Sequence, residues 1–400
     1  MICPENKCTG CGACYSVCSQ NCISMQADCV ETIRPVIDES KCIHCNLCKS
    51  VCHNNNKYNF QQPQKSYAFR ITDEVLYKKT ASGGAATEFY LYALKNDIFC
   101  MGTKFTKRGV CFSQIASESD LNWACSSKYS FSDMFTENVF KGYESALKNG
   151  KKALFVGLPC QTAALRSYLK LKKSDLNRIV FVDLICHGTP NFDYLKQHLE
   201  KIETRFARNV EILSFRDKTK DFHLKCISSG NPFYEKNMLG AETYGNAFLS
   251  NLIFRENCYT CNFARSQRQS DITIGDYDGL GIYFKYEHKN TPVSLVLVNT
   301  ERGSEFFRKV LASGSDIFCE ERPVEEPFIN EINGQLHHPS VPHKKRAIFL
   351  KCFEKTKNFD FSVKKSLGLE LYAYYYRFDY NKNRIKQLIK KLIRYEGKKC

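Results

Sequence analysis

Residues 8–18 read CTGCGACYSVC and residues 42–52 read CIHCNLCKSVC. Both runs are C-x2-C-x2-C-x3-C, and their repetition decides how the front of the chain folds. Three thiolates at C-x2-C-x2-C wrap one side of an iron–sulfur cube in a single tight loop. The fourth ligand must come from elsewhere, and where two runs occur it comes from the other run. The spacing therefore assigns one [4Fe-4S] cluster to Cys8, Cys11, Cys14 and Cys52, and a second to Cys42, Cys45, Cys48 and Cys18. The runs are an internal repeat, so approximate two-fold symmetry is expected. Ser19 and His53 stand where such runs usually carry proline, which removes no ligand. Four-cysteine zinc sites also use C-x2-C pairs, but the doubled four-cysteine pattern favours clusters. Cys3, Cys22 and Cys29 fall outside the runs and read as packing thiols.

These features predict a ferredoxin-type module over residues 1–60. Between the runs, NCISMQADCVETIRPVID (21–38) reads as two short strands around a turn. After His53, the polar NNNKYNFQQPQK (54–65) reads as a linker. The whole chain has 400 residues, 22 cysteines and a net charge of +16. Its start, MICPENKC, lacks the charged and apolar regions of a signal peptide. No apolar run approaches the roughly 20 residues needed to cross a bilayer. A cytoplasmic location is expected, where clustered cysteines serve as metal ligands rather than bridges. Residues 381–400 hold eight Lys or Arg and one Glu, a net +7. The remaining excess is spread thinly. It would attract an acidic electron carrier, and no nucleic-acid partner is expected.

From Tyr67 onward short apolar strands alternate with helical stretches. SYAFRI, ALFVGL, RIVFVDLIC, DITIGDY and VSLVLVNT read as strands. TEFYLYALKN, QTAALRSYLKL, FDYLKQHLEKIE and SEFFRKVLAS read as helices. The fold class is α+β: the cluster module, then a mixed α/β sheet domain in two parts (65–150 and 151–345), then a helical basic tail (346–400). Four cysteines stand at telling places. Cys160 follows one strand, Cys186 ends another, and Cys258 and Cys261 form a C-x2-C pair. The spacing leaves two readings open: convergence on one metal centre, or four unrelated core thiols, since cysteine is often buried.

The same region resembles the beta subunit of the coenzyme F-420 (deazaflavin) hydrogenase/dehydrogenase family. The matching pieces are KTASGGAATEFYLYAL, SSKY (126–129), GLPCQTAALR, LICHGTP, SFRDK, CYTCNFA and SDITIGDY, in order over residues 67–310. The resemblance implies a flavoprotein oxidoreductase with FAD on the sheet domain and a third [4Fe-4S] cluster on Cys160, Cys186, Cys258 and Cys261. It also implies flavin contacts at Ser82, Gly83, Gly84, Thr87, Lys128 and Tyr129. Glycines before a helix suit a pyrophosphate, because they let backbone N–H groups approach it closely; an ordinary loop and helix cap is the alternative.

The expected route joins an external low-potential carrier, ferredoxin or the deazaflavin coenzyme, to the clusters, then to FAD and a small substrate. Members of the family differ by partner: archaeal ones act on deazaflavin, plant reductases draw on ferredoxin, and bacterial relatives with this fusion accompany genes for surface polysaccharide synthesis. A second function is an electron-transfer subunit docked on a separate catalytic chain. No G-x-G-x-x-G fingerprint follows a strand, so NADH is not the expected donor.

Other features read both ways. His187 adjoins Cys186, either near the cluster or simply structural. HHPSVPH, with His337, His338 and His343, reads as an irregular linker or a metal site. Arg216, Asp217 and Lys218 read as a solvated turn or as charges that meet a substrate. In the tail, Ile385, Leu388, Ile389, Leu392 and Ile393 form an apolar stripe flanked by Lys386, Lys390, Lys391 and Arg394. It either packs on the domain or lies peripherally in a membrane interface.

Overall fold

The computed structural model describes residues 1–218, 221–239, 242–288, 291–314, 316–331 and 333–372. The tail stripe beyond residue 381 lies outside them. In the module each cysteine run enters a short helix, α1 (Ala13–Val17) and α2 (Leu47–Val51). Between them β1 (Ile23–Ala27) and β2 (Ile33–Ile37) pair antiparallel, Ile23 opposite Ile37. The repeat is visible in the backbone. Gly10 and His44 have φ of 64° and 53°, and Gly12 and Asn46 have φ of 80° and 60°. Such values are uncommon for residues other than glycine, so both loops are held to one shape.

The larger domain opens with β3 (Lys65–Ile71), α3 (Glu74–Lys79), α4 (Ala85–Lys95), β4 (Phe99–Thr106) and β5 (Gly109–Gln114). It continues through α5 (Leu121–Ala124), β6 (Ser132–Asp133), α6 (Val139–Lys148), β7 (Ala153–Gly157), α7 (Pro159–Leu171), β8 (Ile179–Leu184) and α8 (Phe192–Phe206). Next come β9 (Ile212–Asp217), β10 (Asp221–Ser228), β11 (Asn231–Asn237) and α9 (Thr243–Leu249). The last elements are β12 (Ile272–Asp276), β13 (Ser294–Val298), α10 (Glu301–Ser313), β14 (Ile317–Arg322), α11 (Arg346–Thr356) and α12 (Phe359–Leu367).

Nine strands form one mixed sheet in the order β14-β3-β13-β12-β8-β7-β4-β5-β6. Its centre, β12, β8, β7 and β4, is parallel, and β13, β3 and β14 add antiparallel on one side. β7 and β13 are buried at every position. That is why ALFVG and SLVLV read as unbroken runs rather than alternating ones. The fold is therefore α+β, a ferredoxin-like module on a large mixed sheet.

One sheet face is covered by α4 and α10, where Phe89, Phe306 and Phe307 meet Phe69, Leu154 and Val182. On the other face α6 and α7 lay Phe140, Tyr143, Leu165 and Tyr168 over Phe155 and Phe181. That core runs without a break into Ala13, Val17, Ile23 and Val51 of the module. Each such side chain removed from water contributes about 1.5–3 kcal/mol, so the module is joined to the sheet by a shared interior. A third core gathers Tyr194, Phe215, Tyr244, Phe349, Phe353 and Phe359 between α8, α9, α11, α12 and the small sheet β11-β10-β9. Residues 346–367, read as the start of a tail, thus belong to the packed body.

The segment read as a linker is a strap. Tyr58 and Phe60 pack on Phe263 with centroids 4.9 and 6.3 Å apart, and Gln61 pairs with Arg268 through their backbones. Among the described residues no helix is long and apolar enough to cross a membrane.

Candidate functional site

The crossed repeat brings the module's cysteines into two groups. Cys42, Cys45 and Cys48 line one cavity with Cys18 of the other run. The Cys14 thiol is pushed up by burial and then by its neighbours Cys11 and Cys8. Cys52 reaches that group through Cys3, whose thiol Cys52 pushes up and Cys8 pulls down. Cys22 is buried, as a packing thiol should be, and its Sγ lies 3.4 Å from that of Cys18. Cys29 departs from expectation: it is exposed. The two groups differ in setting. Cys45 is exposed and Ile43 beside it is 62% exposed, whereas Cys14 and Cys52 are buried.

A third group forms in the larger domain. Cys160, Cys186, Cys258 and Cys261 line one cavity, and Thr9 and Cys11 of the module line it too. The topology explains the convergence. β7 and β8 are parallel neighbours, so the chain leaves both strands at the same sheet edge. Cys160 is the second residue of α7, directly after β7, and Cys186 lies just past β8. Pro159 suits the first turn of α7, where its missing N–H costs nothing. Gln161 ties the turn down, accepting from the Leu158 N–H at 2.9 Å and donating to Ser132 O at 2.9 Å.

Donor chemistry fits iron–sulfur ligation here. Burial, followed by Cys186, Cys261 and Cys258, holds the Cys160 thiol well above its usual range. Backbone N–H groups oppose that trend at the sulfurs: Gly188 faces Cys186, and Phe263 and Ala264 face Cys261. The Thr189 N–H points at Cys258 Sγ from 3.5 Å. Such donors stabilise cluster-bound thiolates. The positive-φ loops at Gly10–Gly12 and His44–Asn46 are of the kind that turns N–H groups onto an anion. A tetrahedral zinc would draw its thiolates to about 3.8 Å from one another. Among the described residues the one group of three or more metal-binding side chains with ligand atoms within 4.8 Å of one another is Glu39, Cys42 and His44.

Two buried arginines border the third cavity. Arg268 is paired: Nη2 lies 3.0 Å from Asp183 Oδ1, and Nη1 donates to Phe263 O at 2.9 Å. Asp183 also accepts from Ser270 Oγ at 2.9 Å and Thr273 Oγ1 at 2.6 Å. Arg255 donates instead to backbone carbonyls of the module, Thr9 O at 2.5 Å and Ile33 O at 3.3 Å. Its guanidinium lies 4.4 Å from the centroid of the Phe131 ring.

The residues named for a flavin gather on two neighbouring segments. Ser82, Gly83 and Gly84 precede α4, and Thr87 lies in its first turn. Gly83 is needed for packing, since a Cβ there would sit 2.0 Å from Phe69 O. Gly84 caps α4 with φ of 94° and no side-chain cap bond; the Ala85 N–H points at Ser294 Oγ from 3.5 Å, a long contact at a helix start of the kind that accepts an anion. On the second segment, Lys128 Nζ donates to Trp123 O at 2.6 Å and Ser126 O at 2.8 Å, and burial lowers its pKa to about 8. Thr87 meets this loop through the Cys125 thiol. Tyr129 stacks on Phe248 at 4.7 Å and accepts from Arg216 Nη1 at 3.3 Å.

Arg216 and Lys218 are no solvated turn. Arg216 ends a strand, lies 2.7 Å from Asp276 Oδ2 and covers Phe222. Lys218 donates to Thr80 Oγ1 at 3.0 Å and to Ser82 O, and burial lowers its pKa to about 7. His187 shares this environment: burial lowers its pKa, with Asp276 and Arg216 nearby. Asp276 was missed in the sequence because it reads as the plain end of a strand. Of the HHPSVPH histidines, His338 meets Pro339 O and His343 meets Glu370; among the described residues they belong to no common metal-binding group.

Two stretches of the chain match known families. Residues 150–323 match the family described as the C terminus of the coenzyme F420 hydrogenase/dehydrogenase beta subunit. Residues 7–56 match the 4Fe-4S dicluster domain. A chain of the xenon-derivatised F420-reducing [NiFe] hydrogenase complex from Methanosarcina barkeri is similar over 76% of this chain and 90% of that one, at 17% identity and a TM-score of 0.45. No curated protein matches.

Proposed function

We propose, from the match of residues 150–323 to the C terminus of the coenzyme F420 hydrogenase/dehydrogenase beta subunit and of residues 7–56 to the 4Fe-4S dicluster domain, that this is an iron–sulfur flavoprotein oxidoreductase with three [4Fe-4S] centres and FAD. The observation that carries the reading is the single cavity lined by Cys160, Cys186, Cys258, Cys261 and, from the module, Cys11. When bound, the cubes carry single electrons and FAD exchanges one or two, which couples one-electron carriers to hydride chemistry on a small substrate.

The chain's own residues set the order of the route. Cys42, Cys45, Cys48 and Cys18 hold the outer centre, where exposed Cys45 and Ile43 offer an external carrier the closest approach. Cys8, Cys11, Cys14 and Cys52 hold the middle one. Cys160, Cys186, Cys258 and Cys261 hold the inner one, with Phe131 and Phe263 excluding water beside it. Beyond lie Tyr129, His187, Arg216, Lys218 and Asp276 at the carboxyl ends of β8 and β12. The start of α4 turns its positive dipole end to the FAD pyrophosphate, and an anion there would hold Lys218, whose pKa burial lowers to about 7, in its charged form.

A ferredoxin or other low-potential carrier is the expected donor. The second reading, an electron-transfer subunit without a substrate site, draws support from Lys128, whose amine is spent on carbonyls of its own loop. Anaerobic purification decides between them. About twelve irons with matching acid-labile sulfide, released FAD near one per chain, and reduction by ferredoxin but not by NADH are expected. Iron without any loadable flavin would leave the second reading.

A further inference from the structure

Arg255 is 3% exposed, yet among the described residues no carboxylate pairs with it. A guanidinium keeps its proton, so this is a charge buried without a conventional partner, an arrangement that is costly unless an anion stands close by. The groups around it are thiols. Arg255 lines the third cavity together with Cys11, Cys160 and Cys258; burial lowers its pKa, and Cys258, Cys8 and Cys160 lie close enough to oppose that. Cys8 belongs to the middle centre; Cys160 and Cys258 belong to the inner one. The side chain is also fixed with care. Its own N–H donates to Thr189 O at 2.9 Å, and its carbonyl accepts from the Cys258 N–H at 2.9 Å. Its two terminal nitrogens meet Thr9 O and Ile33 O across the domain boundary. Gly10 clears the space: a Cβ there would lie 2.6 Å from Arg255 Nη2.

We propose that Arg255 is a positioning residue that pins the middle centre against the inner one and raises the reduction potential of both. The inference rests on the three-centre reading above. A cube held by four thiolates is already anionic, and reduction adds one more negative charge. A fixed cation in a water-poor site favours the reduced form. Transfer inward oxidises the middle centre and reduces the inner one by the same electron. Arg255 stays protonated throughout, so no proton moves with it. Among the described residues no buried arginine lines the cavity of the outer centre, on Cys42, Cys45, Cys48 and Cys18, where the one lysine, Lys49, is exposed; that centre serves as an internal reference.

The test is a potentiometric titration of the full, cluster-loaded chain followed by electron paramagnetic resonance, for the wild type, Arg255→Gln and Arg255→Lys. In Arg255→Gln two of the three reduction steps should move to more negative potential by about tenfold in the reduction equilibrium, ~59 mV for one electron. The third step should stay in place. Arg255→Lys keeps the charge and should restore most of the shift. Unmoved potentials in a loaded Arg255→Gln chain would overturn the proposal, as would equal shifts of all three steps. If Arg255→Gln loses iron, the lysine variant decides: wild-type iron and potentials support the charge, and behaviour like glutamine refutes it. A wild-type chain with about eight irons would show instead that the inner centre itself is absent, a failure distinct from unmoved potentials.

Discussion

At the scale of single residues, the third cavity makes the sharpest demands. Cys160→Ala or Cys258→Ala should each remove about four of about twelve irons, measured with acid-labile sulfide, while the module's share stays. Unchanged iron in both variants would return these cysteines to plain core thiols. Arg268 tests a different cost. Arg268→Met strands Asp183, which is fully buried, and removing one partner of a buried pair costs about 3–5 kcal/mol. Denaturant unfolding of the loaded chain should show that loss. His198 gives a pH signature. Its Nε2 lies 2.5 Å from Glu242 Oε1 and its Nδ1 lies 2.9 Å from Asp360 Oδ1. Burial alone would lower its pKa, but the two carboxylates outweigh burial and raise it to about 9. The stabilisation is therefore complete below the ordinary histidine value of about 6.5 and is lost as pH rises through about 9. A thermal-unfolding series from pH 7 to 10 should fall in the wild type and be flatter in His198→Gln. An equally steep alkaline fall in that variant would assign the effect elsewhere.

At the scale of elements, the sequence showed most where one physical signal dominated. Apolar runs marked β7, β8, β12 and β13, and helical spacing marked α4, α7, α8 and α10, because each of these buries a continuous face. The small sheet β9–β11 was not legible. Its strands carry Arg216, Asp217, Lys225, Glu235 and Lys236; Lys225 pairs across the sheet with Asp217 and Glu235, and Arg216 reaches Asp276 of the large sheet. The helices α11 and α12 were obscured by their lysines, while Phe349, Phe353 and Phe359 did the packing. Phe353→Ala should cost about 3–5 kcal/mol, seen as a lower unfolding midpoint. The start of α4 carries a second demand: Ser82-Gly83-Gly84 looks like a ligand loop, and Gly83 also answers to Phe69 O. Gly83→Ala should therefore destabilise by about 1–3 kcal/mol even in protein freed of flavin. A loss seen only when flavin is bound would restore the ligand explanation.

At the scale of the whole molecule, the cysteine runs announced the module, but not how deeply it is built in. Spacing reports ligands and is silent about which outer face of α1 and α2 is dry. That face rests on α6 and α7, and Ser167 Oγ donates to Val51 O at 2.7 Å across the seam. Residues 1–60 made alone should bind iron yet expose Val51, Ala13 and Val17, and should bind hydrophobic dyes and aggregate where the full chain does not. A monomeric, dye-free fragment would argue that the seam is dispensable. The nesting of the three cysteine groups, outer, middle and inner, also bears on how such a protein ages. Dioxygen attacks the groups it can reach. Damage in air should then advance as a front, bleaching the solvent-side centre first and sparing the deepest until the seam loosens, so that partly spoiled molecules would be cut off from their supply of electrons while their interior was still sound.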